Sequence, residues 1–223
     1  MVNNYPRIEE LESLVCSEAA GKRDNSFLYV GMRITRARGA EEMVRAMGLL
    51  PSDLDATLKL VGGWDPPTLQ DSLSQIPGWD RTEFIGLLDR PEVARELHKA
   101  RAGLVILHPE PNYLSSQPVK LFEYMCAGIP VIVSDFPVWR EIVEEAGCGL
   151  LVDPLNPQEI ARAMEYLLTH PKEAEEMGQR GLKAVYESYN WANEERALLQ
   201  IYGRLLERSA AYHGTLVDTG STL

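Results

Sequence analysis

The sequence predicts one α/β domain: a single Rossmann-like, doubly wound parallel sheet of about six strands with helices on both faces. Two observations carry this. Short apolar runs rich in Val, Ile and Leu alternate with helical patterns from Ser26 onward, which is the signature of a parallel sheet built from strand–helix units. The chain has 223 residues, of which 45% are hydrophobic and 25% charged, the size and composition of one sizeable globular domain.

Residues 1–24 read as a lead-in. Asn3-Asn4-Tyr5-Pro6 is turn chemistry, and 8–15 predicts a short helix. The domain itself is expected over 25–207. Strands are predicted at 27–30, 57–61, 83–85, 104–107, 131–133 and 150–152, each a run suited to burial on both faces. Helices are predicted at 40–50, 69–75, 91–100, 118–127, 138–145, 157–168 and 192–206. Asn156-Pro157-Gln158-Glu159 supplies a capping Asn, a first-turn Pro and a Glu at the third position. Asn190 likewise precedes a long helix, whose Ala197, Leu198, Ile201, Tyr202 and Leu205 form one apolar stripe. The small, polar segment 208–223 predicts a disordered tail.

Charge and cysteine usage exclude several classes of function. Twenty-two basic against 33 acidic residues give a formal charge of -11, so neither nucleic acid nor an anionic membrane surface is expected as the main partner. Cys16, Cys126 and Cys148 match no disulfide framework and no zinc spacing; reduced, mostly buried thiols are expected, and with them a cytoplasmic location. No apolar run approaches a membrane span, and the N-terminus lacks the apolar centre of a signal peptide. No metal-ligand cluster and no Gly-x-Ser-x-Gly nucleophile motif is present.

Three segments follow predicted strands at their carboxyl ends, the edge where open α/β sheets bind ligands. The first runs from Gly31 to Gly39 and holds Arg33, Arg36 and Arg38. Glycines allow close backbone approach and guanidinium matches phosphate, so the segment is either an anion site or a solvated basic loop. Its spacing matches neither a P-loop nor the dinucleotide fingerprint. The second, Gly62-Gly63-Trp64-Asp65, is either a site of close approach or a tight turn. The third, 109–130, leads through Ser115, Ser116, Gln117 and Pro118 into an almost wholly apolar helix that nevertheless contains Lys120 and Glu123. A buried carboxylate needs a partner. Their i, i+3 spacing lets the two pair with each other; alternatively Glu123 accepts sugar hydroxyls while Lys120 and the helix start face phosphate. Trp139 reads as core, and His108, at a strand end, as a polar contact or surface residue.

These residues resemble a known family. The run from Phe27 to Leu206, about four fifths of the chain, resembles the C-terminal, donor-binding domain of a GT-B fold glycosyltransferase of the large retaining family 4, or group 1. The resemblance lies in FLYVG…RG, LKLVGG, FIGLLDR, LHPEPNY, KLFEYMCAGIPVIVSDFPVWREIV, GLLVDPLNPQEIARAM and YNWANEERALLQIYGRLL. It is most similar to transferases of bacterial surface-polysaccharide and O-antigen assembly.

The resemblance implies a nucleoside-diphosphate sugar as donor, with no further cofactor and no metal. Arg38 and Lys120 are then the catalytic candidates, fixed cations on the departing diphosphate, with Arg33 and Arg36 nearby. Gly31, Arg33, Arg36, Gly62, Ser115, Ser116, Gln117 and Pro118 become donor-binding candidates. Glu123 matches the second glutamate of the family's paired-glutamate motif and would hold the ribose. The first glutamate's position is Ser115 here, a departure that touches the sugar contact. The resemblance also implies that the chain is incomplete without an N-terminal domain that binds a glycan or lipid-linked acceptor. It would be inactive alone, peripheral at the inner membrane face in the full enzyme, and open to self-association through its cleft or its last helix. Two other functions remain in view: a non-catalytic nucleotide- or partner-binding module, favoured by Ser115 and the missing domain, and half of a nucleotide-sugar epimerase-like enzyme, disfavoured by the lack of a second well-placed carboxylate.

Overall fold

Strands whose side chains are apolar on both faces must be covered on both faces. In the computed structural model, β4 (Ala102–Val105) and β5 (Val131–Ser134) are buried along their whole length. The structure describes Asn3, residues 5–9 and residues 23–217, those beyond 206 as backbone alone. The helix expected over 8–15 lies outside the described residues beyond Glu9, as do Cys16 and residues 218–223.

All six expected strands are present. With β1 (Ser26–Ile34), β2 (Thr57–Trp64), β3 (Thr82–Gly86) and β6 (Gly149–Val152), they form one parallel sheet in the order β3-β2-β1-β4-β5-β6. This is the doubly wound order in which the chain reverses its direction of travel between β1 and β4. β1 and β2 run a few residues further than their apolar patterns, into the glycine-bearing segments.

Helices α1 (Ala40–Leu49) and α2 (Leu69–Leu73) cover one face. Helices α3 (Arg90–Lys99), α5 (Val119–Cys126) and α6 (Pro137–Ala146) cover the other, and the short α4 (Pro111–Leu114) interrupts the long loop before α5. Strand periodicity divides the core accordingly. Phe27 and Tyr29 pack towards α1, whereas Leu28 packs towards α3 and α5. Helix α7 (Pro157–Thr169) returns to the first face, against α1, started as expected by the Asn156 side chain, which accepts from the N–H groups of Gln158 and Glu159.

One helix carries no strong sequence signal. α8 (Pro171–Glu187) buries Ala174, Met177, Gly178, Gly181 and Val185. The stripe has helical spacing, but two of its members are glycines, so its apolar contrast is weak. Gly178 lies there because a Cβ would meet the Gly128 carbonyl oxygen at 2.1 Å. The last helix, α9 (Trp191–Val217), continues well past Leu206, so the backbone of 208–217 is helical where a disordered tail was expected. Ile201, Tyr202 and Leu205 of its expected apolar stripe are exposed, with Leu199 and Leu206. No helix among the described residues is long and apolar enough to cross a membrane.

Arg23 ties the two helices that flank the reversal point. Its Nη1 donates to the carbonyls of Leu97, His98 and Ala100 at 3.1–3.3 Å, and its Nη2 to those of Ala127 and Gly128 at 3.2–3.3 Å. One cation thus satisfies the open carbonyl ends of both α3 and α5, where helix dipoles favour positive charge. Arg23→Met keeps the apolar stem and leaves those carbonyls unpaired. It should cost about 3 kcal/mol in urea unfolding; a loss below about 1 kcal/mol would mean that water replaces the guanidinium.

Candidate functional site

β1 and β4 pair at only two positions, Phe27 with Ala102 and Leu28 with Gly103. Beyond them the strands part, and β1 carries a bulge between Val30 and Arg33. Backbone groups released by such a gap need other partners. The Val30 N–H donates to the Tyr124 hydroxyl at 2.9 Å. On the β4 side the His108 N–H donates to the Ala37 carbonyl of the first loop at 2.9 Å. A side chain of α5 and the backbone of the first loop therefore occupy the gap.

A cleft of about 580 Å³ fills the gap. Its floor is Val30, Gly31, Val61 and Leu107; α3 and the loop before it supply one wall, with Leu87, Leu88, Arg90, Val93 and Leu97. The opposite wall is Tyr113, Ser116, Pro118, Val119, Lys120 and Glu123. Arg38 reaches in from the first loop, and the exposed Met32 stands at the rim. The turn that delivers Arg38 depends on Gly39. Its φ is 70°, and a Cβ there would lie 2.3 Å from the Ile106 carbonyl oxygen, so only glycine fits.

Lys120 stands out electrostatically. Its Nζ is shielded from solvent, has no hydrogen-bond partner, and lies 3.9 Å from the centre of the Tyr29 ring. Burial, with the nearby Arg38 adding to it and Glu123 opposing, lowers its pKa to about 7. The expected alternative of a Lys120–Glu123 ion pair is not formed; the helix places the two groups side by side without contact, and each acts on the other only through its field. Burial pushes the Glu123 carboxyl up, while Arg90 and Lys120 pull it back. Burial acts to lower the pKa of the Arg38 guanidinium, and the neighbouring Tyr29 and Tyr113 hydroxyls outweigh it and raise it. Three cations and one carboxylate thus face one cleft in a protein of net charge -11. Pro118 is the residue that caps the start of α5, whose first N–H groups have no partner within a full helical turn. The arrangement suits an elongated anion with an apolar end.

The candidates separate clearly. Gly31, Arg38, Ser116, Pro118, Lys120 and Glu123 line the cleft. Arg33 and Arg36 do not: the bulge turns Arg33 outward to Asp65 at 3.2 Å, and Arg36 pairs with Glu41 and with the Ser72 hydroxyl. These two arginines are the solvated half of the basic loop. Gly62 is a site of close packing, not of ligand approach: its φ is 146°, and a Cβ would sit 2.1 Å from the Gly31 carbonyl oxygen. Ser115 ends α4 and is exposed outside the cleft. Gln117 lies behind the cleft wall, its Oε1 buried without a partner. His108 turns to Glu42 on α1, with Nε2 3.1 Å from Oε2. Trp139 is fully buried core, as expected, and its indole N–H donates to the Ser116 carbonyl. Arg90, Tyr113 and the apolar wall of α3 were not singled out from sequence. Arg90 and the apolar wall had one signal, the loop 86–90, which also follows a strand's carboxyl end, whereas Tyr113 lies within the third segment, 109–130. Among the described residues no group of three His, Cys, Asp or Glu side chains is placed to hold a metal ion.

Comparison with known proteins places this geometry. The family model described as "Glycosyl transferases group 1" matches residues 16–184. The uncharacterized glycosyltransferase MJ1607 of Methanocaldococcus jannaschii is 28% identical over 185 residues, covering 82% of this chain and 46% of that protein. The chain therefore spans about half the length of this relative. Anabaena HepE, solved in complex with UDP, superposes with a TM-score of 0.73 at 16% identity, over 91% of this chain and 57% of that one. The C-terminal domain of the group 1 family glycosyl transferase LpcC from Francisella tularensis superposes with a TM-score of 0.63 at 21% identity. That match covers 83% of this chain and 95% of that domain.

A cation shielded from solvent without a hydrogen-bond partner is a standing cost to folding. With its folded pKa near 7 against an ordinary 10.5, Lys120 makes the folded state release a proton that the unfolded chain keeps. Its penalty is full below pH 7 and fades as pH rises towards 10.5. Lys120→Met should therefore stabilise the protein by about 1 kcal/mol at pH 6 and by less at pH 9. Denaturant titrations at the two pH values check this; a destabilised variant at pH 6 would show that Lys120 has a partner in the free protein.

Proposed function

This chain belongs to the group 1 glycosyl transferases and has the fold of the C-terminal domain of GT-B enzymes, and on that footing we propose that its cleft binds the nucleoside-diphosphate part of an activated sugar donor. The observation that carries the proposal is Lys120: a shielded, unpartnered amine beside Arg38 in an acidic protein. A diphosphate is the counter-charge that such a pair lacks.

In this reading the diphosphate lies across Arg38, Lys120 and the first turn of α5. Glu123, free of any ion pair with Lys120, accepts hydrogen bonds from ribose hydroxyls. The apolar wall of Leu87, Leu88 and Val93 takes the base. UDP in the HepE complex supports a uridine nucleotide as the first to test. As the bond from the sugar to the diphosphate breaks, negative charge gathers on the leaving phosphates. Cations already fixed there stabilise the transition state more than the ground state. Transfer with retention, to a glycan or lipid-linked acceptor held by a further N-terminal domain, is the chemistry proposed for the whole enzyme. The relative's remaining length has room for such a domain. Alone, this half would bind donor and not transfer. A second reading, a nucleotide-binding module without catalysis, is favoured by Ser115, which leaves the cleft without the family's first glutamate.

The exposed apolar residues of α9 are proposed to seat that further domain or, in its absence, a second copy. Sedimentation velocity should then show association that grows with concentration; a single monomer species throughout would count against a second copy. For the donor site, calorimetric titration with UDP should give saturable binding. Arg38→Ala and Glu123→Ala should each weaken it at least about tenfold. Because only the charged amine attracts phosphate, affinity should be level below pH 7 and fall above it, and this pH dependence should vanish in Lys120→Met. No binding of UDP, GDP or their sugar conjugates would overturn the proposal.

A further inference from the structure

Tyr29 is the first residue of β1 beyond its last pair with β4. Its ring is fully buried and packs towards α1, on the face of the sheet opposite to α5. Lys120 nevertheless extends from α5 to place its Nζ 3.9 Å from the centre of that ring. In a closed parallel sheet the backbone would lie between two such side chains; here the parted strands let them meet. The ring is fixed at its other end. The Tyr29 hydroxyl donates to the Arg33 carbonyl in the bulge of β1 at 2.8 Å. Gly31 leaves room for it, since a Cβ there would fall 2.8 Å from the hydroxyl oxygen. Lys120 lines the cleft, and Tyr29 lies behind it. The face of an aromatic ring is negative, so an ammonium shielded from water is attracted to it. The ring carries no net charge, so it steadies the ammonium and leaves its charge for an incoming anion.

We propose that Tyr29 is a positioning residue for donor binding: its ring face, uncovered by the parting of β1 and β4, holds the Lys120 ammonium at the cleft. The consequence for donor binding rests on the nucleotide-binding reading; the hold on the amine does not. The titratable groups that line the cleft beside Lys120 are Arg38 from the turn before α1, Arg90 of α3, Tyr113 of α4 and Glu123 of α5. Burial and Arg38 oppose the charged amine, and Glu123 favours it. All of these stay in place when only the electrons of the Tyr29 ring are changed.

The test replaces Tyr29 in the full chain by phenylalanine and by trifluorophenylalanine. Both keep a ring of nearly the same shape in the core, and fluorine withdraws the negative charge from its face. The titration of Lys120 is followed by the NMR shift of its ε-carbon. Tyr29→Phe should keep the parent's midpoint, about 7. The fluorinated ring should lower it by about one pH unit, a tenfold change in ionisation. UDP affinity should follow. At about pH 8 the fluorinated chain should bind about tenfold more weakly than Tyr29→Phe. At about pH 5, where Lys120 is charged in both, the two should agree within about twofold. A loss of equal size at both pH values would show a merely structural effect and overturn the proposal. So would a Lys120 midpoint that is the same in both variants, or one already lowered in Tyr29→Phe, which would credit the hydroxyl instead of the ring face. If the parent chain binds no UDP, the nucleotide-binding reading fails and the Lys120 midpoints alone decide whether Tyr29 holds the amine.

Discussion

Everything at the candidate site depends on the parting of β1 and β4. A parallel sheet is strongest when every backbone group is paired, yet a ligand enters such a sheet only where pairing stops. Here pairing stops after Leu28 and Gly103; beyond it the Val30 N–H is taken by the Tyr124 hydroxyl and the His108 N–H by the Ala37 carbonyl of the first loop. Gly103 makes the first contact possible, since a Cβ there would fall 2.2 Å from a carbon of the Tyr124 ring. The tyrosine next to Glu123 is thus a strap on β1, and its hydroxyl determines where the cleft begins.

The cleft concentrates positive charge in a protein that is acidic overall. Arg38 lies beside two tyrosine hydroxyls, Arg90 stands near Glu123, and the Lys120 Nζ has no hydrogen-bond partner. A folded protein that leaves a buried amine unpaired carries strain that a bound anion would relieve. This is the usual sign of a functional site: stability is given up locally so that a ligand finds preorganised charge.

Two parts of the sequence that look alike behave differently once folded. Arg33, Arg36 and Arg38 share one short loop, but the bulge after Val30 and the 3-10 turn at Arg36–Arg38 aim them in different directions. One points into the cleft and two make surface ion pairs, which contribute little. The loop 109–118 shows the opposite. It has no regular pattern, yet the Trp139 indole fixes the Ser116 carbonyl near its end.

The sequence by itself determined the number of strands along the chain, the two-faced core and the edge at which the cleft opens. Those follow from periodicity and connectivity, which are local properties that short apolar runs such as Val131–Ser134 carry in full. It also marked Arg38, Lys120 and Glu123, because charge inside an apolar pattern is conspicuous. α8 stayed hidden because its buried stripe uses glycine at Gly178 and Gly181, where the partner surface and not the residue's own hydrophobicity sets the identity. Only the tertiary structure decided that Lys120 and Glu123 do not pair, that Arg33 and Arg36 leave the site, and that Arg90 and Tyr113 join it. Each of these is a matter of direction and distance between segments far apart in the chain, and a one-dimensional pattern holds no information about where two side chains point once a sheet has twisted and opened between them.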